Sequence, residues 1–198
     1  MNCPEHGLTE KRGFEMSKEM IEVTENAVKG SFYCDSLHMD MSLLATPKAT
    51  DAYISECIRY ACELSDDLKA EIGRSAKAFC LALQTAYKKA IEENDPNAYP
   101  ADLTDGKFLE VTADTPDEDV LQFLAPITLY IYEPEDEANI AFILWNQDVW
   151  NDFHGLSICI RGGKLLYVGE CDYAPWWGPG QFLPCKDESR NYISKVKK

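Results

Sequence analysis

The chain has 198 residues, 45% of them hydrophobic and 27% charged, and its 34 acids against 19 bases give a net charge of −15. This composition is that of an ordinary globular chain with a substantial core, and in a chain neither short nor secreted eight cysteines do not make a disulfide framework the default reading. No apolar run approaches the roughly 20 residues of a membrane helix, and the opening "MNCPEHGLTEKRGFEM" contains no signal-peptide core, so the expected compartment is the cytoplasm.

The expected organisation is a single domain over residues 1–198. An N-terminal arm covers 1–26, where Phe14, Met16, Met20 and Ile21 suggest a short helix. Residues 27–45 read as a hairpin. In "VKGSFYCDSLHMDMSLL", apolar residues alternate on both sides of Asp35-Ser36, as strands with one buried face do. A helical pair follows over 48–93. Ile54, Cys57, Ile58, Ala61 and Leu64 recur at helical spacing behind Thr50 or Asp51 as cap. Ser65-Asp66-Asp67 begins a second, longer helix striped by Leu68, Ile72, Phe79, Leu83 and Ile91, with Gly73 as its weak point. The prolines of "NDPNAYP" end it.

Residues 107–173 read as an antiparallel sheet. "KFLEV" is a short strand, and "TPDEDVLQFL" is a short helix capped by Thr115 with Pro116 at its first position. "ITLYIY", "NIAFILW", "GLSICIR" and "KLLYV" are four sequential strands, the last two joined at Gly162-Gly163, where glycine tolerates positive φ. Residues 174–198 read as an irregular tail. The predicted fold class is therefore α+β: about four sequential C-terminal strands plus the N-terminal hairpin, covered on the apolar face by the helical pair.

Charge is unevenly placed. From Glu92 to Asp152 there are 16 acids and one base, Lys107, while acids and bases cancel elsewhere. A negative field of this kind repels nucleic acid and anionic membranes and attracts basic surfaces. The same pattern also serves solubility. The expected partner is a basic protein rather than nucleic acid or membrane.

Chemistry-bearing residues are few. His154 follows the loop "NQDVWND", and Asp148, Trp150, Asp152 and Asp172 form with it a candidate site at one sheet end. A carboxylate-oriented histidine can act as a general base or metal ligand. It can equally open a strand and bond a neighbouring carbonyl, and with no nucleophile at a telling spacing the structural reading is favoured. Cys3, His6, Cys34 and His38 match tetrahedral zinc in ligand type but not in spacing, and a frayed terminus is favoured over a metal. Cys57, Cys62, Cys80 and Cys159 read as reduced core thiols. Trp176 and Trp177, within "APWWGPGQF", are either a partner anchor or a lid over the sheet, with packing favoured. No phosphate-cradling loop or other cofactor motif occurs.

"WNDFHGLSICIRGGKLLYVGECDY" resembles the signature of an uncharacterised family of bacterial domains, at Trp150, Asp152, His154, Gly155, Leu156, Gly163, Lys164, Val168, Gly169 and Asp172. The order of elements extends the resemblance over about residues 20 to 173. No activity follows from it. Some similar small acidic proteins are immunity partners of bacterial toxins, which implies protein binding. The expectation is an acidic protein-binding domain, in its finer form an immunity-type or inhibitory partner of a basic protein. The alternative is a small hydrolase or metal-dependent enzyme using His154 and its neighbouring carboxylates.

Overall fold

The computed structural model describes residues 22–24, 27–93, 110–134, 136–146 and 155–196. The arm before residue 22, with its expected helix, lies outside them, as does most of "KFLEV". The fold is α+β. Seven strands lie in the order β1 to β7 in one sheet: β1 (Glu22–Val23), β2 (Val28–Cys34), β3 (Met39–Ala45), β4 (Ile127–Ile131), β5 (Ala141–Asn146), β6 (Leu156–Arg161) and β7 (Lys164–Glu170).

The hairpin and the four-strand meander share one sheet, which is larger than four strands and mixed rather than wholly antiparallel as expected. They meet at β3–β4, which pair in parallel from Met41↔Ile127 to Ala45↔Ile131, while every other neighbouring pair is antiparallel. A parallel pair needs a long crossover, and the helical pair supplies it.

Helix α1 (Asp51–Cys62) starts at Thr50, whose side chain accepts the Tyr53 N–H at 3.2 Å. Helix α2 (Asp66–Glu92) starts at Ser65, which accepts the Leu68 N–H at 3.3 Å, and two acids occupy its first turn. Both caps satisfy N–H groups that a helix start leaves unpaired. The apolar stripes, including Ile54, Ile58, Ile72 and Phe79, pack on Phe32, Met41, Leu129, Phe142, Ile158 and Val168 to make the main core. Gly73 is a contact point rather than a defect: a Cβ there would collide with the Asp117 carbonyl oxygen.

Three expectations are corrected. Glu110 and Val111, the described part of "KFLEV", belong to no strand, and the first described strand after the helical pair is Ile127–Ile131. The short helix is a 3-10 helix over Glu118–Leu124, starting after Asp117 with no side-chain cap. Thr115 instead accepts the Thr112 N–H at 2.9 Å within a turn.

The tail is the third correction. Residues after Asp172 form a ribbon of β8 (Trp176–Gly178) and β9 (Gln181–Leu183), followed by a short helix, α3 (Ile193–Val196). The ribbon side of the sheet carries a second small core of Ala141, Ile143, Cys159, Tyr167 and Trp177. Strands β5 and β6 are therefore covered on both faces, which is why they read as near-continuous apolar runs. A bulge assists. Cys159 pairs with Tyr167 but Ile160 with Leu165, leaving Leu166 as the extra residue. Leu165 and Val168 then face the main core, while Leu166 and Tyr167 both face the ribbon side. Among the described residues, no helix is long and apolar enough to cross a membrane.

Candidate functional site

Four members of the sequence-derived site, Asp148, Trp150, Asp152 and His154, lie outside the described residues. Asp172 sits in the 3-10 turn Cys171–Tyr173 after β7. Its carbonyl accepts a hydrogen bond from Lys186 Nζ at 2.9 Å. The two tryptophans separate. Trp177 is fully buried, which removes it from any surface contact, whereas Trp176 remains 37% exposed.

Around Trp176 lies a cleft of about 520 Å³ on the ribbon side of the sheet. Strand alternation builds its floor. Leu129 and Ile131 point to the main core, so Tyr130 and then Tyr132 take the opposite face, beside Trp145 on β5 and Ser157 on β6. The chain after β7 adds Cys171, Trp176, Leu183 and Lys186 as walls.

Tyr132 is the hub of the aromatic wall. Its ring centroid lies 4.7 Å from that of Tyr130, 6.2 Å from Trp176 and 5.8 Å from Trp177, all in tilted or edge-on geometry. Tyr130 in turn meets Trp145 edge-on at 6.3 Å. Such arrangements match the ring quadrupoles and hold the wall rigid. Burial pushes the Tyr132 hydroxyl up to about 12, so it stays protonated.

The cleft has one chemically distinctive contact. Cys171 Sγ accepts hydrogen bonds from Trp145 Nε1 at 3.0 Å and from Ser157 Oγ at 3.1 Å. These two donors favour the thiolate, yet burial is the larger influence and the Asp172 charge opposes ionisation too, so the thiol is held above its ordinary value. A nucleophilic cysteine needs the opposite shift. The arrangement consequently orients the Trp145 ring instead of activating a sulfur. Apolar walls with a few polar groups are the chemistry of recognition.

The remaining candidates disperse. Cys34 is buried and His38 exposed on the far side of the β2–β3 turn, and Cys3 and His6 lie outside the described residues. Among the described residues, no three His, Cys, Asp or Glu side chains gather as metal ligands do. Cys57, Cys80 and Cys159 are buried free thiols.

The acidic stretch is divided as well. Glu118 and Asp119 border a groove of about 750 Å³ with His38, Asp66 and Lys69. Glu133 and Glu137 lie beyond the other end of β4, where they bond Lys48 at 3.4 Å and Thr50 at 3.1 Å. A strand of this length separates the two groups by about 17 Å. The described acids therefore do not form one patch.

Sequence reasoning missed Tyr130, Tyr132, Cys171 and Lys186. A signal for the first two was present, because "LYIY" places both tyrosines on the face opposite Leu129 and Ile131. Lys186 and Leu183 carried none, since they reach the cleft only through the fold of the ribbon.

No curated protein and no solved structure matches the chain. The model of one family, described as a domain of unknown function (DUF6985), matches residues 7–175, and the chain belongs to that family.

Proposed function

We propose that this chain is a protein-binding domain, without catalysis of its own, that takes an apolar or aromatic side chain of a basic partner into the aromatic cleft. One observation carries the reading. Of the four large hydrophobic side chains exposed among the described residues, three (Trp176, Phe182 and Leu183) lie on the β8–β9 ribbon beside the cleft. Grouped exposed apolar side chains mark interaction surfaces, and tryptophan is a frequent anchor in them. The cleft volume also falls in the range of about 300–1,000 Å³ typical of ligand pockets.

The net charge of −15 supports a cationic partner by speeding its approach, while the cleft selects the docking side chain. Inhibition of a basic toxin, in the manner of an immunity protein, is the finer form of this reading. The ribbon lies after the family-matched residues 7–175, so specificity would reside in a segment particular to this chain's C-terminal part.

A library of random peptides displayed against the whole chain tests this. The expected winners carry one Trp, Phe or Leu flanked by Lys or Arg. Their binding should fall at least tenfold on Leu183→Asp and weaken as salt is raised. No enrichment, selection of acidic peptides, or binding that survives both Leu183→Asp and Trp176→Ala would overturn the proposal.

A further inference from the structure

Away from the cleft, two cysteines sit at adjoining ends of a strand and a helix. Cys34 ends β2 and Cys62 ends α1. The Cys34 sulfur lies 3.4 Å from the Ala61 carbonyl oxygen and 3.5 Å from Ser36 Oγ. The Cys62 sulfur lies 3.8 Å from the Tyr33 carbonyl oxygen. Each sulfur thus reaches the backbone of the residue preceding the other cysteine, which makes the two side chains neighbours.

Their surroundings differ from those of the other core thiols. Burial pushes Cys57 and Cys80 up to about 12. The Cys34–Cys62 pair instead gives up its first proton at about 6, because the hydrogen bond from Cys62 stabilises the charge that forms, helped by Ser36. The second proton is held tightly between the sulfurs. Cys34 is buried and Cys62 is partly exposed, so only one member of the pair meets solvent.

We infer that Cys34 and Cys62 form a reversible disulfide, driven by a small-molecule disulfide such as oxidised glutathione, that fastens the end of β2 to the end of α1. The one proton left on the pair passes from Cys62 to Cys34, and the accessible Cys62 sulfur, now the thiolate, attacks one sulfur of the oxidant. The oxidant's S–S bond breaks, one small thiolate leaves, and a mixed disulfide remains on Cys62. Cys34 then attacks Cys62 Sγ, forming the protein disulfide and expelling the second small thiolate. Two protein thiols lose two electrons and two protons, and the oxidant becomes two small thiols. Cys34 needs no path to solvent, because its target is already beside it.

The experiment uses the full chain, reduced and then exposed to oxidised glutathione, unfolded in a thiol-alkylating reagent and read by mass spectrometry with peptide mapping. The expected product has lost two hydrogen atoms, carries a Cys34–Cys62 crosslink and regains both thiols with dithiothreitol. Its rate of formation should change less than twofold between pH 7 and 8.5, whereas an ordinary thiol with a pKa of about 8.5 accelerates more than tenfold. Cys62→Ser, a small change at a partly exposed position, should abolish the crosslink and leave Cys34 unmodified. A stable glutathione adduct on Cys62 without closure, a crosslink to a different cysteine, or full alkylation of both cysteines after exposure would each overturn the inference.

Discussion

Asn191 completes the outer edge of the sheet by accepting the Val168 N–H through its side-chain oxygen, at 3.4 Å. Its amide nitrogen donates to the Leu166 carbonyl at 3.0 Å, and the next residue's N–H, from Tyr192, donates to the Val168 carbonyl at 2.9 Å. An edge strand left bare offers these groups to other chains. Here two tail residues occupy them, while Tyr192 packs edge-on against Phe79 of α2 at 5.1 Å.

Asn191→Ala should therefore cost about 1–3 kcal/mol, the penalty for leaving buried backbone groups without partners. Urea unfolding checks the magnitude. Hydrogen exchange checks the location, with the Val168 amide losing protection well before those of β4 and β5.

Gly73→Ala should destabilise, although alanine exceeds glycine by about 1 kcal/mol in an open helix. The added methyl meets the Asp117 carbonyl oxygen, a backbone atom that cannot rotate away. Displacing the 3-10 segment should cost about 1–3 kcal/mol. A thermal melt showing Gly73→Ala more stable than the parent would refute this, and Lys88→Ala on the exposed face of α2 serves as the neutral control.

Tyr53 fixes α1 to the sheet through its hydroxyl, which accepts the Ala141 N–H at 3.0 Å and lies 3.2 Å from the carbonyl oxygens of Asn139 and Ala141. Tyr53→Phe keeps the ring and orphans the Ala141 N–H, so a loss of about 1–3 kcal/mol is expected. Denaturant titration of the variant measures it, and Tyr53→Leu should cost more because the ring is lost too.

Stability should fall in mild alkali. Cys57 and Cys80 are raised to about 12, chiefly by burial, whereas an unfolded thiol ionises near 8.5, a value of about that size being general for cysteine. Below about pH 8.5 both states hold the proton and the stabilisation is whole. Above it the unfolded chain releases protons that the folded one retains, and stability declines until about pH 12. The slope is at most about 1.4 kcal/mol per thiol per pH unit. Urea midpoints at pH 8, 9 and 10 read it directly, and Cys57→Ala should flatten the decline.

Much of this architecture was legible in the sequence because single-strand and single-helix patterns report their own burial. The cap at Ser65, the Gly162-Gly163 turn (φ of 54° and 76°) and the alternation of β2 and β3 fall where local chemistry puts them. What escaped were relationships between distant segments. The β3–β4 pairing, the contact of Gly73 with Asp117 and the docking of the tail on β7 depend on partners far along the chain. The cleft belongs to this second class. Its floor is written in strand alternation, but its walls arrive from a Pro- and Gly-rich segment whose period is too short to announce a ribbon.

The parallel junction of β3 with β4 has a kinetic consequence. The hairpin on one side and the meander on the other are built from neighbours in sequence, and each can assemble quickly on its own. Their union must bring Met41 to Ile127, closing a loop of more than two fifths of the chain. The entropy of that closure is lost before its hydrogen bonds return anything. The slow event in acquiring the native state should thus be this zipping of two prebuilt halves, with α1 and α2 as the template that brings them into line.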